Sequence, residues 1–322
     1  MKKRKKYKKD FDPKRYRLSK ALPRPGLDIR DGSVYVYQES IKFAVRVGLA
    51  TGRPLLLFGP PGSGKSSLAA FVARSMNWNY FEQVITSKTR LQDLLWNFDA
   101  IRRLRDAQAD ELYEQPHPYI EPRVLWWAFN PMDAKMRGAA RLPENVKVAK
   151  PPGVVRGADH PSVVLLDEID KADPDVPNDL LVALGSQRFK VDDLGREVKS
   201  AKTPLVFITS NNERSLPPAF LRRCVIHTLQ HPTVRQLVMI AEKHFPDKTK
   251  QYKKIFSAVA KKIVDMRDIG EEEVKSSPPS TAEYLDAVSA CINLKVKPGE
   301  NDLWKAINAA VLKKKTPQIF EQ

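Results

Sequence analysis

Short runs of consecutive apolar residues alternate with helical spacings over the first two thirds of the chain, and then the runs stop. Leu55-Leu56-Leu57-Phe58, Val163-Val164-Leu165-Leu166 and Leu205-Val206-Phe207-Ile208-Thr209 read as strands, and the unbroken apolar character of such runs fits a sheet buried on both faces. Residues 80–85 and 225–229 read as two further short strands. Ile41, Ala44, Val45 and Leu49 predict a helix over residues 38–51. Residues 67–74, 91–105, 124–129 and 179–184 carry the same spacing. Residues 188–191 and 196–199 flank Asp192-Asp193-Leu194-Gly195, which predicts a hairpin with a four-residue loop. Residues 86–160 are long and mixed, broken by prolines from Pro116 to Pro152, and a loop-rich stretch of that length inside a compact domain points to function. The fold class expected for residues 34–231 is therefore α/β, a parallel five-stranded sheet between helices.

Beyond Pro232 the strand runs are gone. Residues 233–245 and 250–266 have helical spacing, Ser280 opens a third helix with Glu283 in capping-box position, and Asn301 caps a fourth that runs to about Leu312. Residues 232–322 are expected to form a small all-α domain, and residues 1–33, punctuated by Pro13, Pro23 and Pro25, a flexible basic lead-in.

Charge changes this picture at one end. The 322 residues carry a formal +17, of which +9 falls on residues 1–20, leaving +8 for the other 302. Lys2-Lys3-Arg4-Lys5-Lys6-Tyr7-Lys8-Lys9 is a block of like charge that suits either a nucleic-acid backbone, an anionic surface, or simple solvation. No apolar stretch of signal-peptide length follows it, and no run approaches the ~20 apolar residues of a membrane span. Cys224 and Cys291 lie far apart, with no C-x-x-C. These features lead us to expect a soluble, cytoplasmic protein without a transmembrane segment, a disulfide framework or a zinc site.

The chemistry gathers after the strands. Gly59-Pro60-Pro61-Gly62-Ser63-Gly64-Lys65-Ser66 fits G-x-x-x-x-G-K-[ST], between a strand and a helix that opens at Ser67. Glycines let backbone N–H groups turn inward on a phosphate, and the helix N-terminus adds partial positive charge. Lys65 is expected to reach the β- and γ-phosphates of a nucleotide, and the Ser66 hydroxyl to ligate Mg²⁺. Asp167 closes the next apolar run, where a second Mg²⁺-holding carboxylate belongs, and Glu168 is placed to take a proton from an attacking water. Asn211 follows the third run and can orient that water or touch the γ-phosphate.

In this order, Gly59 to Ser66, Leu165-Leu166-Asp167-Glu168-Ile169-Asp170-Lys171-Ala172, Ile208-Thr209-Ser210-Asn211 and Pro218-Ala219-Phe220-Leu221-Arg222-Arg223 resemble the Walker A, Walker B, sensor 1 and arginine-finger segments of AAA+ ATPases. The Walker B wording and the hairpin before sensor 1 are similar to the MoxR and dynein-related branch. The resemblance implies a core ATPase domain with a helical lid, ATP and Mg²⁺ as cofactors, and a homo-oligomeric, hexameric ring with ATP at each subunit boundary. It implies Arg223 as the finger, with Arg222 as second choice. It implies remodelling or activation of a protein partner, which in this branch often works beside a von Willebrand factor A domain protein. One departure stands out: Ala282 occupies about the place where the branch carries a lid arginine.

Two rival functions stay open on the sequence. A nucleic-acid motor or loader is supported by the basic tail, and opposed by the lack of a recognisable nucleic-acid domain after the helices. A nucleotide-dependent scaffold with little hydrolysis is supported by Ala282 and opposed by Glu168. His227 and His231 share a metal-ligand spacing but straddle a strand end. Trp126-Trp127 is expected to place one ring in the core, and Arg102, Arg103 and Arg105 to form a solvated face.

Overall fold

The computed structural model describes residues 11–15, 33–268 and 279–296, together with Trp304 and Ile307. Most of the basic tail and most of the helix expected from Asn301 lie outside the described residues. In chain order the elements are α1 (Glu39–Thr51), β1 (Leu55–Phe58), α2 (Lys65–Met76), β2 (Asn79–Val84), α3 (Leu91–Leu95), β3 (Trp96–Phe98), α4 (Ala100–Gln108), β4 (Ile120–Pro122), α5 (Val124–Phe129) and α6 (Pro131–Lys135). There follow β5 (Ser162–Asp167), α7 (Val176–Ser186), β6 (Arg188–Val191), β7 (Arg196–Lys199), β8 (Leu205–Ser210), α8 (Pro218–Arg223), β9 (Val225–Thr228), α9 (Val234–His244), α10 (Thr249–Asp268) and α11 (Thr281–Asn293). They fall into two compact units.

The first unit holds residues 37–58 and 65–228. Its centre is a five-stranded parallel sheet in the order β2-β5-β8-β1-β9. Every residue of β5 and β8 is buried, which explains why those runs show no polar alternation. The register decides what meets at the carboxyl ends. Leu166 lies opposite Ile208, so the next residues, Asp167 and Thr209, come abreast at the edge where parallel sheets bind ligands. Phe58 at the end of β1 lies opposite Ser210. One hydrophobic core runs from the sheet, through Phe81, Val164 and Ile208, into the intervening segment, through Trp96, Trp126, Phe129 and Phe189.

That intervening segment departs from three expectations. Residues 91–105 are not one helix. The chain leaves α3 at Trp96 and pairs β3 antiparallel with β4, Trp96 opposite Pro122 and Phe98 opposite Ile120. The Trp96 indole N–H donates to the Asp193 carboxylate at 2.8 Å, and its ring stacks on Phe189 at 6.1 Å. The helix then restarts at α4, where the Asp99 carboxylate caps the Arg102 N–H at 2.9 Å. A three-residue strand hardly disturbs a 3.6-residue spacing, so the pattern runs across the break. Trp126 and Trp127 are both buried, rather than one of them. Each indole N–H finds an acceptor, the Asp133 carboxylate at 2.8 Å and the Pro122 carbonyl at 3.2 Å, and this permits two adjacent indoles in a core. The hairpin over β6 and β7 forms as expected. Arg102 is drawn off the solvated face, with its guanidinium over the Tyr119 ring and an ion pair to Asp106. Cys224 and Cys291 are free and buried.

The second unit holds residues 34–36, Gly59–Gly64 and the described residues from 229 onward. Leu237 and Ala241 of α9, Phe256, Val259 and Ile263 of α10, and Tyr284 and Val288 of α11 form its core. Capping boxes open α9 at Thr233 and Gln236 and α11 at Ser280 and Glu283. Arg267 of α10 ties the unit together: its guanidinium donates to the Pro279 carbonyl at 2.7 and 2.9 Å and to the Pro232 carbonyl at 3.2 Å. Among the described residues, no helix is long and apolar enough to cross a membrane.

Candidate functional site

Lys65 and Ser66 open α2, directly after the six-residue loop that follows β1. Gly62 in that loop has φ +72°, a region open to glycine, and an added Cβ would lie 2.3 Å from the Ser280 Cβ. Only glycine fits there. Gly59 is equally restricted, since a Cβ would meet the Leu229 carbonyl oxygen at 2.4 Å. Ser63 is buried, and its hydroxyl has no hydrogen-bond partner among the described residues.

Within the first unit the separated polar clusters converge. The Ser66 hydroxyl lies 2.9 Å from both Asp167 carboxylate oxygens. The Thr209 hydroxyl donates to Asp167 Oδ1 at 2.5 Å and accepts the Glu168 backbone N–H at 2.9 Å. One hydroxyl on β8 thus fixes the carboxylate ending β5 and the backbone of the next residue. Glu168 adopts a left-handed conformation, φ 64° and ψ 48°, which costs a non-glycine residue on the order of 1–3 kcal/mol and is concentrated at functional sites. The effect is to turn the chain out of the strand and leave the Glu168 side chain half-buried, with one oxygen 2.8 Å from the Lys171 ammonium. Burial pushes the Lys65 ammonium below its ordinary pKa, opposed by the charges of Asp167, Asp170 and Glu168 in that order.

Asn211 sits just past β8, half-buried, and its side-chain amide makes no hydrogen bond among the described residues. Its backbone N–H donates to Asp170 Oδ2 at 3.1 Å. Arg222 and Arg223, at the end of α8, are both exposed and have no ion-pair or hydrogen-bond partner among the described residues. Ala282, the departure in the helical unit, is exposed in the first turn of α11, and the nearby Arg267 guanidinium is committed to backbone carbonyls. His227 lies in β9, its pKa lowered by burial, and no group of three His, Cys, Asp or Glu suited to a metal exists among the described residues.

Three groups at the site escape a reading of the sequence. Thr209 is visible as a polar residue ending an apolar run, yet its two contacts depend on the register of β5 against β8. Asp170 and Lys171 stand out only as Walker B wording, without roles of their own.

The donor set fits a hard divalent cation. One hydroxyl and one carboxylate, held together, provide the few protein oxygens that Mg²⁺ takes when phosphates and waters complete its shell.

Known proteins share parts of this chain. Among curated relatives, protein HYPER-SENSITIVITY-RELATED 4 of Arabidopsis thaliana is 30% identical over a match covering 25% of this chain and 16% of that protein. AAA-ATPase At3g50940, from the same plant, is 49% identical over 14% of this chain and 10% of its own length. The chain thus spans only a small part of these relatives. Among solved structures, a RuvB mutant of Thermotoga maritima matches with a TM-score of 0.48 at 15% identity, over 85% of this chain and 70% of its own. Residues 54–224 match the family model for the AAA domain of the dynein-related subfamily. They run from the start of β1 through the phosphate loop, Asp167, Glu168 and Asn211 to the end of α8, more than half of the chain, and the protein belongs to that family of nucleotide-binding domains.

Proposed function

We propose that this chain hydrolyses ATP and uses the energy to remodel or activate a protein partner. The core would comprise residues 34–231 and the lid 232–322, and the ring would be a MoxR-like hexamer. The observation that carries the reading is the hold on Asp167, gripped from one side by Ser66 and from the other by Thr209, with Glu168 placed immediately beyond. Backbone N–H groups of residues 59–64 and the opening of α2, including Ser67, receive the phosphates, and Lys65 neutralises their charge. Ser66 and Asp167 are the residues that would hold Mg²⁺, which supplies charge neutralisation at the β- and γ-phosphates when bound. Glu168 accepts the proton of the attacking water, and Asn211, whose side-chain amide has no other hydrogen bond among the described residues, orients that water. Arg223, with Arg222 beside it, serves the site of a neighbouring subunit.

A partner with a von Willebrand factor A domain fits the branch. The basic tail leaves room for an anionic partner as well, and a rise in ATPase rate with nucleic acid that falls away with added salt would favour the motor reading over the remodelling one.

Lys65→Ala tests the nucleotide site. Loss of the one lysine in the phosphate loop is expected to remove detectable ATP binding in a fluorescence or calorimetric titration. Undiminished affinity would remove the loop from the account.

A further inference from the structure

Directly after Glu168, a single turn of 3-10 helix, Ile169–Lys171, carries a buried carboxylate. Asp170 is 3% exposed. Its Oδ2 accepts the backbone N–H of Asn211 at 3.1 Å and that of Glu213 at 2.9 Å. These two amides open the loop that leads from β8 to α8, and so to Arg222 and Arg223. The second oxygen, Oδ1, is buried without a hydrogen-bond partner among the described residues. A buried carboxylate is costly unless well bonded, so its presence here calls for a reason beyond packing.

The geometry provides one. β5 and β8 are locked in register up to Leu166 and Ile208, and Thr209 ties Asp167 and Glu168 to β8. Past that point β5 and β8 are no longer paired, and Asn211 also lies one residue beyond the β1 pairing, which ends at Ser210. Asp170 supplies the missing bonds from the same segment that carries Glu168. We propose that Asp170 is a positioning residue, which sets Asn211 in place against Glu168 and anchors the start of the loop to α8. It does not touch substrate. Its effect passes through the Asn211 backbone, and a displacement of about 1 Å at such a group can cost up to about 100-fold in rate. This inference rests on the reading of Asn211 as the water-orienting group.

The experiment compares Asp170→Ala, Asp170→Asn, Asp170→Glu, Asn211→Ala and the double variant Asp170→Ala/Asn211→Ala. It measures kcat, KM and ATP affinity, with thermal unfolding as a folding control. Asp170→Ala and Asp170→Glu are expected to lower kcat roughly tenfold, the second while keeping charge and oxygens but shifting them by one methylene, with KM and affinity within about twofold of wild type. Asp170→Asn keeps a carbonyl oxygen able to accept both N–H bonds and should recover most of the rate. The double variant should be no slower than Asn211→Ala, because both changes remove one effect.

The proposal is overturned if Asp170→Glu folds and turns over at the wild-type rate, if Asp170→Asn is as slow as Asp170→Ala, or if the double variant loses both factors. Should Asp170→Ala fail to fold, the Asp170→Asn and Asp170→Glu pair decides alone. Full activity of Asn211→Ala would instead remove the reading of Asn211 on which the proposal rests.

Discussion

Glu168→Gln is expected to bind ATP as tightly as the wild type and to lose at least about 100-fold in turnover. The substitution keeps size and backbone, so the left-handed turn at φ 64° and the Thr209 bond to its N–H survive. What it removes is basicity: an amide cannot take a proton from water. It also removes the carboxylate that pairs with Lys171, but that pair is partly exposed, and its loss costs little by itself. On the proposed reading binding is spared, because the loop and Lys65 would meet the phosphates, and Ser66 and Asp167 would hold the cation. The variant should accumulate ATP-loaded and assembled. Single-turnover phosphate release decides the matter. A rate equal to that of the wild type would place the base elsewhere.

Arg223→Ala is expected to bind ATP normally and to hydrolyse it ~10³-fold more slowly. Charge building on the transferring phosphoryl group needs more than Lys65 and one divalent cation, and an arginine supplied from a neighbour is the usual source. Arg223 has the required freedom, exposed at the end of α8 with no partner among the described residues. An arginine acting on another subunit makes a distinctive demand. Arg223→Ala has an intact loop, and Lys65→Ala has an intact finger, so mixing the two inactive variants should restore hydrolysis at boundaries that combine the intact halves. Arg222→Ala should do less. ATPase rate plotted against mixing ratio is expected to rise and fall. Full activity of Arg223→Ala alone would dismiss it from the site.

The sheet is readable in the sequence because β5 and β8 are buried throughout, and a strand covered on both faces must be written as an unbroken apolar run. Lys65, Ser66, Asp167 and Glu168 are readable because each follows such a run. Residues whose role comes from register are not readable in the same way. Thr209 reaches Asp167 only because Leu166 pairs with Ile208 rather than a neighbour. Asp170 reaches Asn211 across 41 positions of sequence, a contact that no local spacing encodes. The β3–β4 ribbon is hidden for a different reason. Three residues are too few to set a period of two, and the Trp96 indole finds its acceptor at Asp193, 97 positions on.

The central claim is that Ser66, Asp167 and Glu168 work together on a metal-bound nucleotide. Phosphate release by the purified wild-type protein given ATP, with Mg²⁺ and again with the metal chelated by EDTA, tests this most directly, with Lys65→Ala as the blank. Sustained release of many phosphates per chain is expected with Mg²⁺, and a fall to the Lys65→Ala level with EDTA. Release that continues undiminished in EDTA, or no release above the blank under any condition in which the protein binds ATP, would contradict it.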